Sequence, residues 1–156
     1  MVGEKNNSIE VNMIDKFTGE YRFLSNFYDA EVELDGIIYP RVENAYQAAK
    51  NFNNARRQMF KGLTASEAKK EGGNRKVNIR PDWNQVKNLI MENLVRQKFR
   101  NHIELKEKLL NTGDQELIEG NAWGDVYWGI CDGVGENYLG KILMKVREEL
   151  KNGSGL

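Results

Sequence analysis

Cysteine, histidine and proline are nearly missing from this chain, whose 156 residues hold one cysteine, one histidine and two prolines. The lone cysteine, Cys131, excludes an intrachain disulfide and points to a reducing compartment, so a cytoplasmic location is expected. The lone histidine, His102, excludes a histidine-rich metal centre, and the lack of a cysteine cluster excludes structural zinc. Cys131 and His102 could in principle form a nucleophile and base, but nothing local supports the pairing, and a single cysteine commonly packs as a small hydrophobe. The sequence also lacks a P-loop, and no G-x-G-x-x-G follows a strand in a βαβ unit. No metal and no cofactor are therefore expected. Long apolar runs are absent too. No segment approaches the roughly 18 residues of a membrane span, residues 1–15 carry no apolar stretch of signal-peptide length, and Val2 excludes the N-myristoylation pattern. Membrane association is not expected. A surplus of either charge is missing as well: 23 Lys plus Arg balance 23 Asp plus Glu. A dedicated duplex-DNA binder would need a positive surplus.

What is present is a globular composition, with 40% hydrophobic and 29% charged residues. The length fits one domain with a real core. We expect that domain over residues 16–150, with flexible ends at 1–15 and 151–156. Residues 21–27 are rich in aromatics and read as a strand running into a turn. Apolar residues then alternate from Ala30 to Tyr39 about Asp35-Gly36, a strong hairpin signal, and Pro40 ends the second strand. Helix is expected from Glu43 to about Lys61, which lacks interior Pro and Gly. Thr64 with Glu67 forms a capping box for a short helix stopped at Gly72-Gly73. Pro81 suits the first position of a long helix, with Val86, Leu89, Ile90, Leu94 and Val95 at helical spacing up to about Phe99. Another helix is expected over 103–110, closed at Gly113. A last one starts near Asn137 and carries the amphipathic stripe Leu139, Ile142, Leu143, Val146 and Leu150. The expected fold class is α+β: a mostly helical single domain with a small N-terminal antiparallel sheet.

Three segments could carry chemistry. Residues 120–140 hold six of the fifteen glycines and two of the three tryptophans, beside Asn121, Asp125, Asp132, Glu136 and Asn137. Glycine permits positive φ and close approach, aromatic faces stack on flat rings, and carboxylates bind hydroxyls or move protons. A pocket for a flat, polar ligand such as a nucleotide fits this pattern. So does a structured loop whose tryptophans simply pack. In the second segment Glu43, Gln47 and Lys50 fall at i, i+4 and i+7 and share one face if the helix begins there. Ala45, Ala48 and Ala49 leave room beside them, although a solvated Glu–Gln–Lys stripe has the same spacing. The third segment, 56–80, is locally basic. Within it Arg75 and Arg80 lead into Asp82 and Trp83, and arginine forks suit phosphates. Carboxylates, aromatic rings and one lysine together suit glycosidic bond cleavage, in which carboxylates move protons and stabilise an oxocarbenium-like state.

These residues occur in an order that resembles a known family. Phe23, Leu24, Ser25, Asn26 and Phe27 come first, then Glu43, Gln47 and Lys50. Asn74, Arg75, Arg80, Asp82, Trp83, Lys98 and Phe99 follow. Next come Thr112, Gly113, Asp114, Glu119, Asn121, Asp125, Trp128 and Gly129, and finally Gly135, Asn137, Gly140 and Arg147. From about residue 16 to 150 the order resembles the YbiA-like, or NADAR, superfamily of N-glycosidases. The resemblance implies a metal-independent hydrolase of N-glycosidic bonds. Its substrate would be a phosphorylated nucleoside or an ADP-ribosyl group: a ribosylated pyrimidine intermediate of riboflavin synthesis, or ADP-ribose on a base, notably guanine, in nucleic acid. It implies Glu43 as the essential glutamate and Lys50 as a lysine that could attack an opened ribose as a Schiff base, and Asp125 matches a pocket residue. On their carboxylate chemistry Glu43 and Asp125 are expected to supply the acid–base pair, so Glu43, Lys50 and Asp125 are the expected catalytic residues. Trp83 and Trp128 match pocket residues, and Phe23, Ser25, Asn26, Gln47, Arg75, Arg80 and Asn121 join them as substrate contacts. One departure stands out: many members have His directly after the glutamate, where this chain has Asn44. A noncatalytic ADP-ribose or nucleotide sensor is the alternative expectation.

Overall fold

Helix dominates residues 12–153, which are the residues described by the computed structural model of this chain. Among these residues the short strands occur in pairs, and the fold is α+β. Residues 1–11 and 154–156 of the expected flexible ends lie outside the described residues. The chain divides into two compact units, one of Asn26–His102 and the other of the segments up to Ser25 and from Ile103 onward.

The Asn26–His102 unit starts with the hairpin read from the sequence. With Met13–Ile14 as β1, Val32–Leu34 (β2) pairs antiparallel with Ile37–Tyr39 (β3). The turn residues Asp35 and Gly36 have φ of 49° and 85°, the left-handed pair a two-residue hairpin turn requires. Val42–Ala48 (α1) follows, and every one of its residues is buried. The single helix expected up to about Lys61 is instead broken. A new helix, Asn54–Met59 (α2), starts where the Asn53 side chain accepts from the Arg56 amide at 2.8 Å, and a 3₁₀ turn covers Phe60–Gly62. Asparagine side chains compete with helix for backbone groups, and here they win: Asn51 donates to the Asn78 carbonyl at 2.6 Å. Ala65–Gly72 (α3) carries the full Thr64–Glu67 capping box, worth about 1 kcal/mol. Trp83–Asn101 (α4) is the long helix and buries Met91, Leu94, Val95 and Phe99. Helix α1 packs on α3 and α4, and β2 on α4.

The other unit brings distant segments of sequence together. Met13–Ile14 (β1), inside the stretch expected to be a flexible end, pairs in parallel with Glu116–Leu117 (β4). The strand expected at 21–27 is a 3₁₀ helix, Gly19–Leu24, that buries Phe23 and Leu24. Aromatic content favours strands only when a partner strand is available, and this segment packs on a helix, Ile103–Asn111 (α5), instead. Gly120–Asn121 (β5) pairs in parallel with Ile130–Cys131 (β6). Tyr138–Lys151 (α6) buries Leu139, Ile142, Leu143 and Val146, the stripe the periodicity predicts. The hairpin is thus the one antiparallel strand pair among the named strands, and the other two pairs are parallel.

Candidate active site

In the Asn26–His102 unit the site is built on α1. Glu43 sits in the first turn of that helix, where the helix dipole favours an anion. Its amide donates to the Asn26 carbonyl at 3.1 Å, and the Asn26 side chain is itself buried, with its Nδ2 3.5 Å from the Met91 sulfur. Glu43 is only 7% exposed, and a carboxylate so placed needs donors. Gln47, one turn on, supplies one: its Nε2 donates to Glu43 Oε2 at 2.7 Å. Glu43 and Gln47 therefore do share a helix face.

Lys50 does not extend that face, because α1 ends at Ala48. Its side chain crosses to α3, where Nζ donates to the Gly72 carbonyl at 3.2 Å. Burial holds the Lys50 amine below its usual 10.5, the Glu43 carboxylate opposes that shift, and Lys87 adds to it. Loss of hydration disfavours the ammonium, and the neutral amine is the nucleophilic form. Tyr46 lies beside Lys50 and Trp83, with Lys50 Nζ 5.7 Å from its ring centre and the Trp83 ring 5.1 Å away at 52°. Nothing in our sequence reading singled out Tyr46, although its position three residues after Glu43 places it near the same face.

The two arginines differ. The Arg80 guanidinium is closed on Asp82, with Nε and Nη2 at 2.6 and 2.9 Å from the two carboxylate oxygens. It also lies over the Phe52 ring at 4.1 Å, and its backbone amide donates to the Lys50 carbonyl at 2.7 Å. Arg75, by contrast, is exposed. Trp83 is 5% exposed and packs as a wall beside Tyr46. Asn44, at the position where the resemblance led us to look for His, points away from this chemistry. Its amide donates to the Phe60 and Leu63 carbonyls at 2.9 and 2.8 Å, fastening the turn at 60–63.

The second unit organises Asn121, Asp125 and Trp128 into one loop. Asn121 Nδ2 lies within 2.8–3.3 Å of the Glu119, Asp125 and Ile130 carbonyls, and its Oδ1 accepts from the Asp125 and Trp123 amides. Asp125 Oδ1 accepts from the Tyr127 and Trp128 amides at 3.1 and 2.9 Å. Both side chains thus shape the loop. Trp128 is half-buried and edge-on to Tyr127, with ring centres 4.8 Å apart. The glycines have backbone reasons as well: a Cβ at Gly129 would collide with the Glu119 carbonyl, and one at Gly140 with the Leu117 carbonyl. Phe23 is buried under the Lys108 ammonium, 5.8 Å away, and Ser25 is half-buried at the end of the 3₁₀ turn. Among the described residues no three His, Cys, Asp or Glu side chains gather as metal ligands.

A buried carboxylate held by an amide near a desolvated lysine, and a separate loop shaped by a carboxylate and rich in aromatics, define a small α+β domain with acid–base and nucleophilic chemistry to hand. The chain belongs to the NADAR domain family, whose model matches residues 14–151. N-glycosidase YbiA of Shigella flexneri is 35% identical over 133 residues, which cover 84% of this chain and 82% of that protein. Riboflavin biosynthesis protein VVA0006 of Vibrio vulnificus is 39% identical over 132 residues, which cover 83% of this chain but only 35% of that protein. The NMR structure of E. coli YbiA superposes with a TM-score of 0.78 at 30% identity, over 91% of this chain and 90% of that one.

Proposed function

We infer that this protein is an enzyme that hydrolyses N-glycosidic bonds. The observation that carries the reading is the buried Glu43 carboxylate, fixed by Gln47 at 2.7 Å and electrostatically coupled to the desolvated Lys50 amine. Relatives of similar length named N-glycosidases support it, and a noncatalytic nucleotide sensor is not favoured. Glu43 activates water or moves protons as the sugar departs. Lys50, neutral more readily than an exposed lysine, adds to the anomeric carbon of the opened ribose and expels the base, whose nitrogen takes up a proton, leaving an imine that water hydrolyses to the sugar and the free amine. Without that attack, water displaces the base through an oxocarbenium-like state. Within the Asn26–His102 unit Asn26 and Trp83 shape the surroundings of Glu43 and Lys50. In the other unit, taken by itself, Asp125 supplies a carboxylate and Trp128 a ring with the chemistry to stack a base, on a loop shaped by Asn121, with Phe23 and Ser25 as further candidate contacts. Arg75 meets phosphate. Arg80, closed on Asp82, holds the segment that ends in Trp83.

The substrate is an N-glycoside of a phosphorylated ribose: either a ribosylated pyrimidine intermediate of riboflavin synthesis or ADP-ribose on guanine, free or in nucleic acid. The proposed setting is cytoplasmic. No helix among the described residues is long and apolar enough to cross a membrane. Incubation with ribosylaminouracil phosphate and, separately, with an ADP-ribosylated guanine oligonucleotide tests the proposal. Release of the base from one of them is expected. Release from neither, by folded protein at high enzyme concentration, overturns the reading.

A further inference from the structure

The Gln47 side chain lies flat across Gly72. A Cβ built at Gly72 would strike Gln47 Oε1, stand 2.5 Å from Cδ and 2.9 Å from Cβ. The backbone of Gly72 does not explain the glycine, because its φ is not in the left-handed region. Alanine would be the better residue for the last turn of α3 on helix propensity. What requires glycine is the space taken by Gln47.

The same residue meets the site a second way, because its carbonyl accepts from Lys50 Nζ at 3.2 Å. Gln47 can reach Glu43 with its amide nitrogen only while its oxygen rests on Gly72, where that oxygen is buried without a hydrogen-bond partner. A buried amide oxygen left unpaired is costly. Turning the amide over would give that oxygen no relief from an ionised Glu43, which accepts but cannot donate. The unpaired oxygen is thus what the fold tolerates in order to aim the NH₂ at Glu43.

We propose that Gly72 is a positioning residue for the reaction: its missing Cβ admits the Gln47 amide that orients Glu43, and its carbonyl orients the Lys50 amine. The proposal rests on the reading of Glu43 and Lys50 as the reacting pair. Gly72 touches no substrate and acts only through these two side chains.

Three variants test it: Gly72→Ala, Gln47→Ala and the double substitution. Two readouts are taken, turnover of the N-glycoside and the side-chain NH₂ resonance of Gln47 followed across the acid titration of Glu43. In Gly72→Ala we expect kcat to fall about 10–100-fold with KM nearly unchanged, the loss of an orienting contact felt in the transition state. The Gln47 NH₂ signal should lose its dependence on Glu43 ionisation. In the Gln47→Ala background the same change meets only the 2.9 Å contact to Cβ. It should cause no further loss of kcat, while the melting temperature falls, because two carbon atoms cannot stand that close and the helices must give there. That background also keeps the test informative if Gly72→Ala alone folds poorly. Full kcat together with an unchanged titrating NH₂ signal in Gly72→Ala overturns the proposal, as does an equal further loss in the Gln47→Ala background. If Glu43→Gln proves fully active, the catalytic reading fails, and the NH₂ signal still reports whether Gly72 holds Gln47 on Glu43.

Discussion

At the residue scale, Glu43 illustrates how burial sets one common side chain apart from others of its kind. An exposed glutamate at the same helical position would be solvated, whereas this one is nearly enclosed and hydrogen-bonded to Gln47. Glu43→Gln keeps size and hydrogen bonding but removes the charge. Turnover should fall by about 10²–10⁴-fold, the usual range for an acid–base residue, while substrate affinity measured by calorimetry survives. Wild-type turnover in that variant removes Glu43 from the chemistry. The two arginines give a second residue-scale prediction because their surroundings differ. Arg75 is exposed and available to phosphate, so Arg75→Ala should raise KM with little change in kcat, the signature of uniform binding. Arg80 is engaged with Asp82 and with the Phe52 ring. Arg80→Ala should lower the urea midpoint instead, and equal KM effects in both variants would contradict the distinction. Asn44 could not have been interpreted from sequence alone. Only its bonds to the Phe60 and Leu63 carbonyls show that this position serves a turn.

At the scale of elements, what was legible followed periodicity and caps. Helix α6 and the Thr64–Glu67 capping box were readable because each depends on residues within a turn or two of one another. The Asp35-Gly36 hairpin was readable because its turn demands positive φ. The two parallel strand pairs were not, since strands of two residues have no alternation to detect and their partners are distant in sequence. The break after Ala48 was missed for a different reason. Nothing in residues 43–61 opposes helix except asparagines, and their side chains declare themselves only through Asn78 and Arg56. The glycine-rich loop was recognised as unusual, but its glycines serve backbone packing at Gly129 and Gly140. Its organiser is Asn121, whose amide is shared among five backbone groups. Asn121→Ala leaves these groups without their partner, at about 1–3 kcal/mol for each one that stays buried and unmet. Hydrogen exchange at the Asp125 and Trp123 amides should accelerate in this variant, while exchange in α4 stays slow. Unchanged exchange throughout the loop would show that Asn121 is dispensable to it.

At the scale of the whole molecule, the family was legible in a series of short motifs spread along the chain, and its model matches residues 14–151, even though some elements between those motifs were misread. Order in sequence does not report burial, so the ionisation properties of the fold had to come from the structure. Lys98 is the clearest case. It stands beside Phe99 in one of the motifs, yet it is 1% exposed on α4, with its side-chain nitrogen 5.0 Å from the Phe99 ring centre and 5.7 Å from that of Tyr28. Burial pushes its amine down from 10.5 to about 7. Between those values the unfolded chain binds one proton more than the folded one at this site, so stability must rise with pH across that window. Below about 7 both states carry the proton and this contribution is flat. Lys50, also lowered by burial, acts in the same direction. Tyr39, raised by burial, acts in the opposite direction once the unfolded phenol ionises near pH 10. The net expectation is a rise in the urea midpoint from pH 7 to about 9.5 that levels off beyond it. Lys98→Met replaces the amine with an apolar chain of similar length and should remove most of that rise, with the residual slope left by Lys50. Equilibrium unfolding of both proteins at pH 7, 8 and 9.5 decides the matter. A wild-type midpoint that is flat or falls over this range, or a Lys98→Met variant that keeps the full slope, would show that Lys98 stays protonated in the folded state.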